Sequence, residues 1–300
     1  MNKKGDDRKE HEKINEIESR LTKIGKFPQT PKIPNDWAEV INKIKKKDRV
    51  IIVGGVDVGK TSFTIALERK FKNPAVIDLD PGQQRFFIPT CVSAKYKNKI
   101  LKFFVGSTSP KFSEWLIILA LQTFLQRLEK FKPDLFILDT PGFIEGDRAI
   151  ALKISETIIF RPTKAVVITE DKTKTEKLIE VLSKFSEVYI LNPSEDARRI
   201  SPEERAEIRL TKFKNYFSQT KDIIINNGEE LKKKVIDISP KIEDQEITKL
   251  IGFFRNGLTE VIGIIKEQSE SKMKVAIPED YEWKNWDFAI SSTVKSIIPV

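Results

Sequence analysis

Short apolar runs rich in β-branched residues alternate with stretches of helical spacing through the middle of the chain. The runs that predict strands lie at 49–53, 75–79, 100–105, 134–138, 164–168 and 187–191. The stretches that predict helices lie near 59–71, 111–130, 145–158 and 173–185. Strands that alternate with helices in this way are typical of a mostly parallel sheet covered by helices on both faces. The pattern therefore predicts an α/β fold, in which ligands bind at the carboxyl ends of the strands.

The two ends of the chain have a different pattern. Residues 1–26 are mostly polar with apolar residues at helical spacing, which predicts an exposed amphipathic helix or arm before a proline-rich linker. A short helix around 36–47 carries an apolar stripe that we expect to cover an edge of the sheet. After residue 221 the pattern changes to short segments that predict strands, at 222–226, 234–238 and 259–266.

These changes divide the chain into three parts. We expect a charged N-terminal arm and linker, an α/β domain that includes an arginine-rich lid, and a small C-terminal α+β domain. Their predicted bounds are 1–33 for the arm and linker, 34–220 for the α/β domain, about 193–217 for the lid within it, and 221–300 for the C-terminal domain.

Charge and composition narrow the classes of function. The chain has 53 basic and 44 acidic residues, and its net charge of +9 favours an anionic partner, most commonly nucleic acid, although lysine-rich surfaces also arise with thermostability. A single cysteine, Cys91, excludes an intrachain disulfide and a cysteine-based zinc site, and a single histidine, His11, disfavours a His-containing triad. No apolar run has the length of a membrane span, and the charged N-terminus does not resemble a signal peptide. We therefore expect a soluble, cytoplasmic protein.

Residues 54–61 form a complete phosphate-binding loop, Gly-Gly-Val-Asp-Val-Gly-Lys-Thr, with the pattern G-x-x-x-x-G-K-[ST]. The loop follows a predicted strand and precedes a predicted helix, which is the context that a P-loop NTPase requires. Backbone N–H groups at the helix N-terminus bind phosphate oxygens, Lys60 reaches the β- and γ-phosphates, and Thr61 binds Mg²⁺. The sequence therefore predicts a nucleoside triphosphate site formed by Gly54, Gly55, Val56, Asp57, Val58, Gly59, Lys60, Thr61 and Ser62.

Two further acidic segments follow predicted strands. Asp78 and Asp80 point to the same side of a strand end, where a carboxylate holds Mg²⁺ through water, accepts a proton from an attacking hydroxyl, or only caps a turn. The segment Asp139–Gly142 matches the D-x-x-G element of GTPases. The N-K-x-D element that would bind guanine is absent after the later strands, at 169–172 and at 192–195, so a GTPase becomes the second interpretation.

Four arginines follow the last predicted strand of the sheet, and two of them are spaced to share one face of a helix. In phosphoryl transfer, arginines of a mobile lid stabilise the negative charge that spreads over the phosphate oxygens. The alternative is a solvated helix in which the arginines pair with nearby glutamates, and the spacing leaves both interpretations open. The arginines are Arg198, Arg199, Arg205 and Arg209, and the glutamates are Glu203, Glu204 and Glu207.

Together these segments resemble the polynucleotide 5′-hydroxyl kinases that act in RNA 3′-end formation, tRNA splicing and pre-rRNA processing. The resemblance extends from about Pro34 to the end of the chain; the loop alone is generic, whereas the ordered set of motifs is specific. The motifs are the loop with an acidic residue at Asp57, Asp78–Gln83 as D-x-D-x-G-Q with Pro89 after it, Phe104–Pro110, Asp139–Phe143, Tyr216–Phe217 after the lid, and Gly252–Ile265 in the C-terminal domain.

The resemblance implies an enzyme that transfers the γ-phosphate of ATP to the 5′-hydroxyl of RNA, or of DNA, with Mg²⁺ as cofactor and RNA-processing proteins as partners. The implied catalytic residues are Lys60 on the transferring phosphoryl group, Asp80 as base, and Arg199 and Arg205 as lid arginines. The implied metal ligands are Thr61 with Asp78 or Thr140, and Asp57 would help to hold the loop and the metal surroundings. The implied substrate-binding residues are Gln83, Thr140, Gly142 and Arg209.

The chain departs from the family pattern in three places. Family members often carry an N-terminal β-rich domain, where this chain has mostly charged residues. The family's aromatic residue after T-x-G is often tryptophan and is Phe143 here, which softens substrate stacking, and Arg198 and Arg199 can exchange roles in the lid. Two other functions stay open: an ATP-binding scaffold of an RNA-processing complex with little turnover, and a GTPase-like switch.

Overall fold

The computed structural model describes residues 33–194, 199–226, 228–240 and 247–295, and the predicted arm at 1–26 lies outside them. The helices are α1 (Asn35–Lys43), α2 (Lys60–Lys70), α3 (Glu114–Leu128), α4 (Asp147–Phe160), α5 (Lys172–Ser183), α6 (Pro202–Tyr216) and α7 (Gly228–Lys234). A first sheet contains β1 (Arg49–Gly54), β2 (Pro74–Asp78), β3 (Cys91–Tyr96), β4 (Lys99–Phe104), β5 (Leu135–Asp139), β6 (Lys164–Ile168) and β7 (Glu187–Leu191). A second sheet contains β8 (Thr220–Ile225), β9 (Val235–Asp237), β10 (Ile247–Arg255), β11 (Leu258–Gln268), β12 (Met273–Pro278) and β13 (Phe288–Lys295).

The first sheet has the strand order β4–β3–β2–β5–β1–β6–β7. β1 lies between β5 and β6, parallel to both, and its residues from Val50 to Val53 are fully buried. Val50 and Ile52 belong to a core formed with α1 and α2, whereas Ile51 and Val53 belong to a core formed with α3 and α4. Burial on both faces explains why the strand is a continuous apolar run, and it confirms the predicted α/β fold.

One edge of this sheet is an antiparallel hairpin, formed by β3 and β4, of which the sequence pattern predicted only β4. β3 carries the buried Ser93 and the partly buried Lys95 between apolar residues, so it contains no continuous apolar run. The Ser93 hydroxyl donates to the side-chain oxygen of the buried Gln84, which compensates for burying both polar groups. The other predicted strands and helices of this domain are confirmed, with their ends shifted by a few residues.

The second sheet has the order β8–β12–β11–β10–β13–β9 and packs against the hairpin. The Thr259 hydroxyl of β11 accepts the backbone N–H of Phe104 at 2.8 Å. A Cβ atom at Gly252 of β10 would lie 2.7 Å from Cβ of Phe104, so this close approach needs glycine. The sequence pattern did not predict β10, β12 or β13. No helix in the described part of the chain has the length and apolar composition that crossing a membrane requires.

Candidate active site

The predicted phosphate-binding loop connects β1 to α2. Asp57 and Gly59 have left-handed backbone conformations, with φ values of 60° and 97°. A Cβ atom at Gly59 would lie 2.7 Å from the Trp37 ring, so the turn requires glycine. α2 begins at Lys60, and its N-terminus has no side-chain cap. The first N–H groups of α2 are therefore available to phosphate oxygens, which is the arrangement of nucleotide-binding loops.

Lys60 and Thr61 occupy the first turn of α2. Lys60 is buried, and its ammonium group donates to the Gly55 carbonyl at 2.5 Å. Burial lowers the pKa of Lys60, and the negative charges of Asp139 and Asp80 oppose this shift. The Thr61 hydroxyl donates to Asp139 Oδ2 at 3.1 Å. The loop lysine thus lies in a desolvated environment with carboxylates close by.

Three carboxylates lie at the carboxyl ends of the neighbouring strands β2 and β5. Asp78 and Asp139 are paired in register, and Asp80 follows two residues after Asp78. Burial, followed by repulsion from Asp139 and Asp80, raises the pKa of Asp78 to about 7. Burial also raises the pKa of Asp139, and the positive charges of Lys60 and Arg85 oppose that shift. The site therefore concentrates buried negative charge, which a bound cation would stabilise.

The two carboxylates of the segment after β2 differ in their hydrogen bonds. Asp78 Oδ1 accepts the N–H of Asp80 at 3.0 Å, and Asp78 Oδ2 accepts the N–H of Arg85 at 2.9 Å. Asp80 Oδ1 accepts the N–H groups of Gly82 and Gln83, at 2.8 and 3.1 Å. Within the described residues, Asp80 Oδ2 accepts no hydrogen bond. Both carboxylates cap this turn, and Asp80 keeps one oxygen for another donor.

The segment that follows β5 lies against the phosphate loop. Thr140 is buried, and its hydroxyl donates to the Ile52 carbonyl at 2.8 Å. A Cβ atom at Gly142 would lie 2.7 Å from a methyl carbon of Val56, so glycine permits this contact. Phe143 is partly buried against the core. Thr140 and Gly142 are therefore neighbours of the loop, but the Thr140 hydroxyl is already engaged by the backbone.

The start of α6 is attached to the loop through Asp57. Asp57 Oδ2 accepts the N–H of Ile200 at 2.9 Å and forms an ion pair with the guanidinium group of Arg205. Only 14% of the Asp57 side chain and 22% of the Arg205 side chain are exposed. Arg205 Nε is buried and has no hydrogen-bond partner among the described residues. A buried donor without a partner, next to a phosphate loop, is placed for an anionic ligand.

The other predicted lid arginines have different surroundings. Burial and the charge of Arg205 lower the pKa of Arg209, whereas the charge of Asp80 opposes the shift. Arg199 is exposed and forms a surface ion pair with a glutamate at 3.3 Å. Arg198 lies outside the described residues. The structure therefore brings Arg205 to the loop and Arg209 to the surroundings of Asp80, and it leaves Arg199 on the surface.

A buried lysine on α4 belongs to the same charge cluster and was not predicted. Lys153 is 2% exposed and forms an ion pair with the fully buried Glu156 at 3.0 Å. Burial lowers the pKa of Lys153, and the charges of Glu156 and then of Asp80 and Asp139 oppose the shift. The sequence signal that could have indicated this buried pair is a lysine and a glutamate three residues apart on an otherwise apolar helical face.

A second buried lysine, Lys212 on α6, was also missed. It is 3% exposed, and its ammonium group donates to the carbonyl of Gln84. Burial lowers the pKa of Lys212 to about 8, while the charges of Asp78 and Asp80 oppose the shift. Lys212 follows Arg205 by seven residues, so helical spacing places both on one face, and this spacing was the available signal.

Gln84 and Arg85 hold the turn after β2 in place. The Gln84 side-chain amide donates to the carbonyls of Asp78 and Asp80 at 3.3 and 3.2 Å. Arg85 forms an ion pair with Glu68 at 2.8 Å. Arg85 Nη1 is buried and, within the described ranges, has no partner. Arg85 is thus a second source of an unpaired buried donor close to the carboxylates.

Residues 54–219 match the family model described as the P-loop of the mRNA cleavage and polyadenylation factor CLP1. The polyribonucleotide 5′-hydroxyl-kinase of Methanocaldococcus jannaschii is 31% identical over 66% of this chain and 59% of its own length. The enzyme of the same name from Pyrococcus horikoshii is 26% identical over 66% of this chain and 58% of its own length. The chain thus spans less than two thirds of the length of these curated relatives.

Solved structures show the same fold. A chain of the wild-type Clp1p–Pcf11p complex superposes with a TM-score of 0.64 at 15% identity, covering 95% of this chain and 79% of that chain. The likeness extends across both sheets, because nearly all of this chain is covered. Since the family model matches more than half of the residues, the chain belongs to the CLP1 P-loop family.

Proposed function

We propose that this chain is a polynucleotide 5′-hydroxyl kinase that transfers the γ-phosphate of ATP to the 5′-hydroxyl of RNA. The observation that carries the proposal is the meeting of three groups at the phosphate loop: the buried Lys60, the carboxylate of Asp80 with one oxygen unused, and the lid residue Arg205 in contact with the loop. A nucleotide-binding scaffold needs the loop but not the other two. The curated relatives that carry this kinase name support the same conclusion.

Phosphoryl transfer depends mainly on positioning and on charge stabilisation, and the site offers groups for both. The uncapped N-terminus of α2 would bind the phosphates of ATP, and the Lys60 ammonium would exchange the Gly55 carbonyl for phosphate oxygens. Arg205 Nε and Arg85 Nη1 are the buried donors that would hydrogen-bond to the transferring group. These cationic groups would balance the charge that develops on the γ-phosphate oxygens.

We assign the role of base to Asp80. In the reaction, the 5′-oxygen forms a bond to the γ-phosphorus, the bond between that phosphorus and the β–γ bridging oxygen breaks, and ADP leaves. The proton of the 5′-hydroxyl passes to Asp80 Oδ2. The positive charges of Arg209 and Lys212 interact electrostatically with Asp80. Gln83 and Gly142, beside this carboxylate and the loop, would contact the substrate.

The donor set at the loop fits Mg²⁺, which prefers oxygen ligands. Thr61 and Asp139 would hold the ion, because their oxygens lie 3.1 Å apart at the N-terminus of α2 and both are close to the phosphate loop. Asp78 and Thr140 fit less well, because both oxygens of Asp78 accept backbone N–H groups and the Thr140 hydroxyl donates to Ile52. When bound, Mg²⁺ neutralises charge on the β- and γ-phosphates.

The test is transfer of labelled γ-phosphate from ATP to a short RNA with a 5′-hydroxyl. The same RNA with a 5′-phosphate is the control substrate, and Lys60→Ala is the control variant. We expect labelled product only with the 5′-hydroxyl RNA and only with the intact loop. ATP binding without labelling would favour a scaffold. Release of phosphate without RNA labelling would favour a switch, and replacing RNA by DNA or ATP by GTP in the same assay determines the preference for each.

A further inference from the structure

A cluster of lysines and aromatic rings lies at the end of the first sheet that is opposite the phosphate loop. We call it the basic–aromatic surface, and it consists of Tyr96, Lys97, Lys99, Lys130, Phe131 and Lys132. Tyr96 ends β3, Lys97 lies in the hairpin turn and Lys99 begins β4, whereas the segment between α3 and β5 carries the other three residues. In the antiparallel pairing, Tyr96 lies opposite Ala75 and Ser93 lies opposite Asp78, so this surface and the carboxylates occupy opposite ends of β2.

The rings of this surface form a platform with cations on it. Tyr96 and Phe131 are stacked, with ring centroids 5.3 Å apart and an interplanar angle of 11°. The Lys97 ammonium lies 5.4 Å from the centroid of Tyr96, and the Lys99 ammonium lies 5.0 Å from that of Phe131. Phe131 is 39% exposed, although it is a large apolar residue. Tyr96 is buried, so Phe131 is the exposed ring of the pair. An exposed aromatic ring bordered by cations is what a single-stranded polynucleotide binds through its bases and phosphates.

The positive charge of this surface is not neutralised by the acidic residues beside it. Glu129 pairs with Arg49 at 3.3 Å, and Asp134 pairs with Lys46 at 3.9 Å. In the part of the chain that the structure describes, the four lysines of the surface form no ion pair. The dipole of α3 accounts for lysines that follow its C-terminus, but it does not account for Lys97 and Lys99 on a β-turn.

We propose that the basic–aromatic surface binds the body of an RNA whose 5′ end lies in the active site; this rests on the proposed function. β2 has five residues and spans about 17 Å at roughly 3.3 Å per residue. With a phosphate about every 3.4 Å along a stacked strand, an RNA needs on the order of five nucleotides or more to extend from the carboxylates to this surface. A trinucleotide would reach only the active site, whereas a 20-nucleotide RNA would contact both.

The test is the affinity of the full chain for a 3′-labelled, 5′-hydroxyl 20-nucleotide RNA, measured without ATP at several salt concentrations. The variant replaces the four surface lysines by glutamine. The matched control replaces four exposed lysines elsewhere, so that the net charge changes equally: Lys172, Lys177, Lys266 and Lys272. Each phosphate contact of a single strand contributes about 0.7 to the salt slope, so we expect the slope to become less steep by about 3 and the affinity to fall by on the order of tenfold or more.

Phe131→Leu separates stacking from charge. It keeps an apolar side chain and removes the ring, so we expect weaker binding of the 20-nucleotide RNA by roughly fivefold or more, with an unchanged salt slope. Phe185→Leu, at another exposed phenylalanine, is the matched control. Unchanged binding in both the glutamine and leucine variants, or equal losses in the controls, would overturn the proposal.

The kinetics for a trinucleotide give an independent check. We expect the four-glutamine variant to phosphorylate the trinucleotide with unchanged kcat/KM and the 20-nucleotide RNA with reduced kcat/KM. A loss of kcat/KM for both RNAs would contradict a surface separate from the active site. The proposal would also be contradicted if these lysines were needed to bind an acidic polypeptide and not to bind RNA. If the wild type binds the 20-nucleotide RNA without phosphorylating it, the kinase proposal fails and the binding surface stands.

Discussion

The carboxylate of Asp57 in the phosphate loop forms an ion pair with the guanidinium group of Arg205 on α6. The same carboxylate accepts the N–H of Ile200, two residues before α6 begins. Asp57 therefore connects the phosphate loop to the start of α6 at two points, one on the backbone and one on a side chain. The ion pair fixes the guanidinium group, and Arg205 Nε has no partner among the described residues, so one buried donor stays available for the phosphate that we propose binds here.

We predict that Asp57 acts on catalysis through Arg205. Arg205→Ala should lower kcat by on the order of 100-fold or more, because it removes a positive charge that stabilises the transferring phosphoryl group. Asp57→Ala should lower kcat less, because it releases the arginine without removing it. The double variant should be no slower than Arg205→Ala alone, and single-turnover rates of the four proteins measure this coupling.

The control for this comparison of single and double variants is Asp171→Ala, which removes a carboxylate that caps α5 by accepting the N–H of Thr173. It should lower stability slightly, through loss of the cap, and leave the coupling unchanged. Hydrogen exchange of residues 199–205 is a readout that does not depend on turnover, and Asp57→Ala should accelerate it. Losses of kcat that multiply in the double variant would contradict the prediction and would give Asp57 a role of its own, such as in the metal surroundings.

A different prediction concerns the buried pair of Lys153 and Glu156. Lys153→Met should lower the free energy of unfolding by about 3–5 kcal/mol, because it leaves the Glu156 carboxylate buried without its partner. Adding Glu156→Leu should restore most of that stability, because an apolar pair of similar volume is tolerated. The double variant should nevertheless stay slow, because the positive charge near Asp80 and Asp139 is absent. Urea unfolding measures the stability of each variant, and kcat measures its catalysis. If the double variant recovered both stability and kcat, the pair would have a purely structural role.

The sequence predicted the elements of the first sheet that have strong local signals. The loop at 54–61 and the apolar runs of β1, β2, β5 and β6 are local patterns, and the structure contains each of them. β3 was not predicted, because Ser93 and Lys95 interrupt its apolar pattern. Burial of Ser93 depends on a hydrogen-bond partner nine residues away, Gln84. The division of the chain at residue 221 stays a prediction.

The candidate site was predicted as motifs rather than as contacts. Sequence spacing placed Asp78 and Asp80 on the same side of the strand end. It did not show that both carboxylate oxygens of Asp78 accept backbone N–H groups. The pair of Asp57 and Arg205 joins residues 148 positions apart, so no local pattern contains it. Lys153 comes near the carboxylates only because α4 packs against β1 in the folded protein, and a lysine on a helix is ordinarily a surface residue.

The pH dependence of the reaction should reflect Lys212. Its pKa in the folded chain is about 8, below the ordinary value of 10.5, because the side chain is buried. Between these two pH values the unfolded chain binds more protons, so the stability of the fold should rise with pH in that window. Activity should instead fall above about pH 8, because the charge beside Asp78 and Asp80 is lost. Lys212→Arg should retain activity at higher pH, whereas Lys214→Arg, at an exposed position of α6, should keep the wild-type profile of kcat/KM.

Metal dependence should be controlled by the first turn of α2. Thr61→Val keeps the shape of the side chain and removes the hydroxyl that meets Asp139 Oδ2, so it should raise the Mg²⁺ concentration for half-maximal activity by roughly 10–100-fold. Thr64→Val is the matched control, because the Thr64 hydroxyl is buried on the same helix and has no partner among the described residues. Calorimetric titration of each protein with ATP, once in the presence of Mg²⁺ and once with a chelator, measures how much the metal strengthens ATP binding. Wild type and Thr64→Val should bind ATP more tightly with Mg²⁺, whereas an equally large metal effect in Thr61→Val would place the ion away from this hydroxyl.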